Sequence, residues 1–111
     1  MTINEYQELA LRTARQKNQK DIHTLLNGLM GLCGESGECI DLLKKVLFQG
    51  HAVEEKQMAE ELGDVAWYLA LSAHAIGYDL ETVLQMNVDK LKERYPDGFD
   101  PDRSRNRKEY E

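Results

Sequence analysis

Four carboxylates stand at positions that an ordinary solvated helix surface does not explain. Glu35 and Glu38 form one pair, Glu61 and Asp64 a second, each with members three residues apart. At 100° per residue, Glu35 shares a helical stripe with Cys39, Leu42 and Val46, and Glu38 precedes Leu42 by one turn. Glu61 leads into Val65, Tyr68 and Ser72, and Asp64 into Tyr68, Leu71 and Ala75. Two neighbouring acids therefore project from the core-facing stripe of each of two helices, unless one pair faces solvent. Like charges repel, and a buried carboxylate loses several kcal/mol of hydration. Protonation, pairing with bases or a bound metal ion offsets that cost. Lys44 and Lys45 project from other faces of the same helix as Glu35, which leaves internal pairing incomplete. Clustered oxygen donors without thiols suit a hard cation, Mg²⁺ or Mn²⁺, which keeps some of its waters and accepts phosphate oxygens.

Glycine supplies a second oddity. Gly28, Gly31, Gly34 and Gly37 recur every three residues, and each costs a helix about 1 kcal/mol relative to alanine. Such a run either breaks the helix or lets something approach closely. Gly34 and Gly37 flank Glu35 and leave room beside it for a ligand or another helix.

The elements that position these residues are helices. The two prolines, Pro96 and Pro101, both lie near the C-terminus, so no proline helix-breaker precedes residue 95. Thr2 and Glu5 have the spacing of a capping box, opening a first helix that reads to about Gln16. A second runs from about Ile22 to Phe48, with Ile22, Leu25, Leu29, Leu32, Cys33, Ile40, Leu43 and Leu47 on one stripe, and ends at Gln49-Gly50-His51. A third spans about Val53 to Ile76, with Met58, Leu62, Val65, Leu69 and Ile76 at helical spacing, and stops at Gly77. Asp79 is a plausible N-cap for a fourth, Leu80 to Arg94, with Leu80, Val83, Leu84 and Leu91 inward. Tyr95-Pro96 closes it, because the residue before proline is pushed out of the helical region. Trp67 lies on the far side of the third helix with Ala70, Leu71 and His74, and a helix apolar on two sides needs two partners. An oligomer interface is the first reading of Trp67, base stacking the second. The fold class is therefore all-α, a four-helix bundle that associates through helix packing, as a homodimer or tetramer.

The chain has 111 residues, 14 basic against 20 acidic, and a net charge of −6, which suits one compact domain over residues 1–111. The acid surplus argues against direct nucleic-acid binding, which normally uses a basic face. No apolar run approaches the roughly 18 to 20 residues of a membrane span, and residues 1–8 lack a signal-peptide pattern. A cytoplasmic location is the expectation. Cys33 and Cys39, six residues apart on one helix and so about 9 Å apart along its axis, are expected to stay reduced, and no second Cys/His pair offers a zinc site.

Together these residues resemble the MazG-like nucleotide pyrophosphohydrolases, an all-α superfamily. Gly34-Glu35-Ser36-Gly37-Glu38 and Glu61-Leu62-Gly63-Asp64 look like its ExxE and ExxD pairs. The likeness continues from Asn27 through Lys44-Lys45, Trp67-Tyr68, Asn87, Lys90-Leu91-Lys92, Arg94-Tyr95-Pro96-Asp97-Gly98-Phe99 and Arg103-Ser104, covering about residues 22–107. Some members carry a further Glu directly before the first pair; here that position is Gly34, as in the shorter Gly-Glu-x-Gly-Glu branch.

The resemblance implies Mg²⁺-dependent (or Mn²⁺-dependent) hydrolysis of a nucleoside triphosphate, non-standard or surplus, to the monophosphate and pyrophosphate. Glu35, Glu38, Glu61 and Asp64 are then the metal-binding and catalytic residues, one of them a general base towards water. Lys90 and Arg94, at i and i+4, are candidates for the phosphates, with solvated helix surface as the alternative. Asn87, a turn earlier, is a candidate for sugar or base. Tyr68 is either core filler or a wall of the nucleotide pocket. His23 and His51 near helix ends read first as structural or exposed. The tail, 97–111, either frays or folds its bases over the phosphates. Two competing classes are a di-iron carboxylate bundle, which usually supplies Glu-x-x-His that none of His23, His51 and His74 completes, and a non-enzymatic helical interaction module.

Overall fold

The computed structural model describes residues 1–107, which are mostly helical and carry no strand. Five helices follow in order: α1 Ile3–Leu11, α2 Ile22–Gln49, α3 Glu55–Ala75, α4 Leu80–Arg94 and α5 Pro101–Arg105. The all-α expectation holds, with α5 added in what reads from sequence as a tail; residues 108–111 of that tail lie outside the described residues. The chain divides into two compact units, Met1–Leu80 and Glu81 onward.

In the first unit, α1 opens with the expected capping box: Thr2 Oγ1 accepts from Glu5 N (3.1 Å) and Glu5 Oε1 from Thr2 N (2.9 Å). It ends at Leu11, five residues short of the expected Gln16. The amides of Arg12, Thr13 and Ala14 reach back three residues instead of four, and the Thr13 hydroxyl donates to Ala10 O (2.8 Å), which tightens and stops the helix. α2 starts at Asp21, whose side chain accepts from His23 N (2.7 Å), and stops at Gly50, a left-handed residue at φ 74°. α3 stops before Gly77 at φ 85°.

Close approaches fix the α2–α3 register. A Cβ on Gly28 would meet Ser72 Oγ at 2.4 Å, and one on Gly31 would meet the Tyr68 ring at 2.1 Å. Positions 28, 31 and 35 of α2 therefore lie beside 72, 68 and 64 of α3, an antiparallel hairpin. Thr24, with no exposed surface, extends the same contact line.

The other side of α3 is covered by α1. Ala10, Ala70 and Leu80 form a buried cluster, flanked by Tyr6, Trp67 and Leu69. Buried Gln7 ties the elements together, its Nε2 donating to Ala70 O (3.1 Å) and its Oε1 accepting from Leu80 N (2.9 Å). His74 Nε2 bonds Lys17 O (2.8 Å), and Lys20, left-handed at φ 58°, sends its amide to Ala75 O (2.8 Å). The Trp67, Ala70, Leu71 and His74 side of α3 is thus occupied inside the chain by α1 and the segment after it, which corrects its reading as an oligomer interface.

The two-faced helix is α2. Its side towards α3 carries Thr24, Gly28, Gly31 and Glu35, whereas Ile22, Leu29, Ile40, Leu43 and Leu47 of the expected core stripe are exposed, Ile22 at 70% and Leu47 at 65%. Leu62 and Ile76, two of the third-helix residues at helical spacing, are exposed too. Apolar periodicity finds a helix's hydrophobic stripe, but α3 claims the small-residue side of α2, and no element of the first unit covers the large-residue side.

In the second unit, Leu84 and Leu91 are exposed rather than inward. The chain turns after α4 through Gly98 at φ 93°, with the Tyr95 and Phe99 rings 5.4 Å apart. α5 is capped by Asp100 and held to the end of α4 by Arg103 Nε, which donates to Arg94 O (2.6 Å). Among the described residues, no helix is long and apolar enough to cross a membrane.

Candidate metal centre

The antiparallel hairpin brings the two acid pairs face to face. One carboxylate oxygen from each of Glu35, Glu61 and Asp64 lies within 4.8 Å of the others. Oxygens bound to one Mg²⁺ at about 2.1 Å stand no more than about 4.2 Å apart, and to a larger cation slightly more, so side-chain adjustments suffice to close this set on an ion. Glu35 and Glu61 are half-buried and Asp64 is exposed. Glu38 is exposed and outside that trio, but near enough for its charge to act on Glu61.

Electrostatics mark the cluster as uncompensated. Glu61 is held above the usual carboxylate range, first by loss of hydration, then by sharing a hydrogen bond with Glu35, and then by the charges of Glu35, Asp64 and Glu38. Lys44 and Lys45 are engaged first elsewhere, although Lys45 also feels the charge of Glu38. Both pair with Asp41 on their own helix (3.4 and 2.9 Å), whose carboxyl is lowered chiefly by its hydrogen bond from Lys45. The donor set therefore fits a hard divalent cation: oxygen only and negatively charged.

Space surrounds the acids. A Cβ on Gly34, Gly37 or Gly63 would meet nothing within 4 Å, in contrast to Gly28 and Gly31, which the α2–α3 contact requires. A cavity of about 280 Å³ opens beside the cluster, lined by Glu35, Asp64, Trp67 and Tyr68. Tyr68 lies against Gly31 and meets Trp67 edge-on, with ring centroids 4.9 Å apart. A larger cavity, about 550 Å³, lies at the loop end of the hairpin among Leu42, Val46, His51, Val53, Met58 and Leu62. His51 belongs to that cavity, and His23 to the start of α2.

Residues 20–99 match the MazG nucleotide pyrophosphohydrolase domain. The chain belongs to that family. It is also 36% identical over 106 residues to the Gene 37 protein of Mycobacterium phage L5, an alignment covering 88% of this chain and 92% of the phage protein. No solved structure matches it significantly. Family membership and fold thus agree with the all-α MazG resemblance read from the sequence.

Of the sequence-derived site residues, the MazG hairpin gathers Glu35, Glu61, Asp64 and Tyr68, with Glu38 at the margin. Asn87, Lys90 and Arg94 stand on one face of α4 in the second unit, at i, i+3 and i+7. Arg94 also lines a cavity of about 310 Å³ with Asp102, Arg103, Asn106 and Arg107.

Two contributors escape a reading by motif. Burial pushes the Tyr6 phenol up and the Asp64 charge adds to it, which sets this α1 side chain near the acids. Thr13, just past the end of α1, accepts a hydrogen bond from the Trp67 indole. The i, i+4 spacing of Tyr6 and Ala10 signals that α1 has an inward side, but nothing in it says that this side meets α3 beside Asp64.

Proposed function

We propose that this chain hydrolyses a nucleoside triphosphate to the monophosphate and pyrophosphate, acting on a non-standard or surplus nucleotide. The observation that carries this reading is the convergence of Glu35, Glu61 and Asp64 from two helices of a MazG family member. Glu35, Glu38, Glu61 and Asp64 would hold Mg²⁺, or Mn²⁺ in its place. Such a cation would supply charge neutralisation for the phosphates and polarisation of a water for attack at the α-phosphorus.

The chain's own groups do the rest. One of the four carboxylates would take a proton from the attacking water. Tyr68 would form a wall of the nucleotide pocket, and on α4 Lys90 and Arg94 are the candidates for phosphate charge and Asn87 for sugar or base. Removing the four ligands from the acid count leaves 16 acids against 14 bases. The charge balance outside the site is then nearly neutral, which favours metal-dependent capture of a small nucleotide over capture of nucleic acid.

The chain acts as a single domain and a homodimer or tetramer in the cytoplasm. Support for association comes from the exposed apolar side of α2, Ile22, Leu26, Leu29, Ile40 and Leu47, which a second copy of the same helix would cover isologously.

A panel of common and modified nucleotides, assayed for pyrophosphate with and without Mg²⁺ or Mn²⁺, tests the proposal. Metal-dependent pyrophosphate release supports it. Release of single phosphate, or no turnover of any nucleotide, overturns it, and full activity in Glu38→Ala removes Glu38 from the ligand set.

A further inference from the structure

Trp67 is the one tryptophan of the chain. Its indole has a single polar atom, which can only donate. That N–H points to Ala10 O (3.0 Å), in the last turn of α1, and to Thr13 Oγ1 (2.8 Å), just past its end. The Thr13 hydroxyl spends its own proton on Ala10 O (2.8 Å), so the indole meets its lone pairs. The three groups form a closed set that fixes the plane of the indole ring.

The consequence reaches the acids through one further ring. Trp67 stands edge-on to Tyr68 at 79°, and Tyr68 has the missing side chain of Gly31 on another side. Tyr68 is clamped between a glycine of α2 and an indole held by α1. Both rings line the cavity that also contains Glu35 and Asp64. Thr13 itself lies before the residues that match the family.

We propose that Thr13 and Trp67 are positioning residues for the nucleotide pocket: the last turn of α1 holds the indole, the indole holds the Tyr68 ring, and Tyr68 meets the nucleotide. This rests on the pyrophosphohydrolase reading above. It makes α1 part of the specificity apparatus rather than only a cover for the core. A structural role alone would change thermal stability and leave the affinity for nucleotide as it was.

The test uses the full chain and a nucleotide that the wild type turns over. Thr13→Val keeps the shape of the side chain and removes the hydroxyl. Its KM is expected to rise about threefold to tenfold, the size of one hydrogen bond, with kcat within about twofold of wild type. Thr13→Ser is expected to restore KM. Trp67→Phe, which keeps a ring beside Tyr68 and loses the N–H, is expected to raise KM by at least as much. In a second measurement, the corresponding nucleoside monophosphate with Mg²⁺ is titrated against Trp67 fluorescence. The wild-type emission is expected to change on binding, with the midpoint moved to higher concentration in Thr13→Val. Unchanged KM in both Thr13→Val and Trp67→Phe overturns the proposal, as does a fall in Tm without a change in KM, or failure of Thr13→Ser to rescue. If the wild type turns over no nucleotide, the wider reading falls with it; if it does and the variants keep KM, only this inference falls.

Discussion

Tyr68 occupies the space that Gly31 leaves by having no side chain: a Cβ there would sit 2.1 Å from the ring. Alanine at position 31 should gain about 1 kcal/mol of helix propensity and lose about 1–3 kcal/mol to overpacking. Gly31→Ala is therefore expected to lower Tm and to raise KM by displacing Tyr68. Gly37, where nothing lies within 4 Å, is the control. Gly37→Ala is expected to raise Tm, and calorimetry of the two variants side by side checks the contrast.

How much of this was legible beforehand depends on what each residue signals. The carboxylate pairs declare themselves by spacing, because an i, i+3 acid pair on an apolar stripe needs a reason. The helix ends marked by glycine, Gly50 and Gly77, are equally readable. Helical periodicity gives Trp67 a direction around α3 but not the element that lies there, and a nine-residue α1 with only Gln7 and Ala10 buried offers little signal that it is the partner. The stripe on α2 was misassigned for the opposite reason. Its large apolar residues look like core, whereas helices approach most closely where residues are small, along Thr24, Gly28 and Gly31.

Glu61 gives the protein a pH-dependent liability in the absence of metal. Its folded pKa is raised above the unfolded value, so the folded state favours its proton. Stability from this group is fully present below the unfolded pKa and is lost as pH rises through the raised folded pKa. Glu61→Gln should therefore exceed wild type in Tm at neutral pH under chelation and converge with it in acid. A constant difference across that range would exclude the charge as its origin.

Metal should reverse that liability. At 100 times its dissociation constant, a ligand that binds only the folded state adds about 2.7 kcal/mol. Mg²⁺ is expected to raise the Tm of the wild type in a concentration-dependent manner, and to have little effect on Glu35→Ala. Differential scanning fluorimetry with Mg²⁺ titrated into chelator-treated protein measures both.

The exposed side of α2 carries its own test. Ile40 is 63% exposed in the single chain, and a second copy seated there would bury it. Ile40→Glu is expected to shift the protein towards monomer in analytical ultracentrifugation while its far-ultraviolet circular dichroism stays helical. An unaltered sedimentation coefficient would place the contact between copies elsewhere.

All four acids lie on the α2–α3 hairpin, between residues 35 and 64, joined by the short connection from Gly50 to Glu54. Closing a hairpin through so short a connection costs less chain entropy than joining segments from opposite ends of the chain. The step that zips these two helices together is therefore the same step that forces the like charges into proximity. A divalent cation held there would remove that obstacle as well as stabilise the native state, so Mg²⁺ is expected to speed refolding as well as slow unfolding, which stopped-flow refolding with and without Mg²⁺ measures.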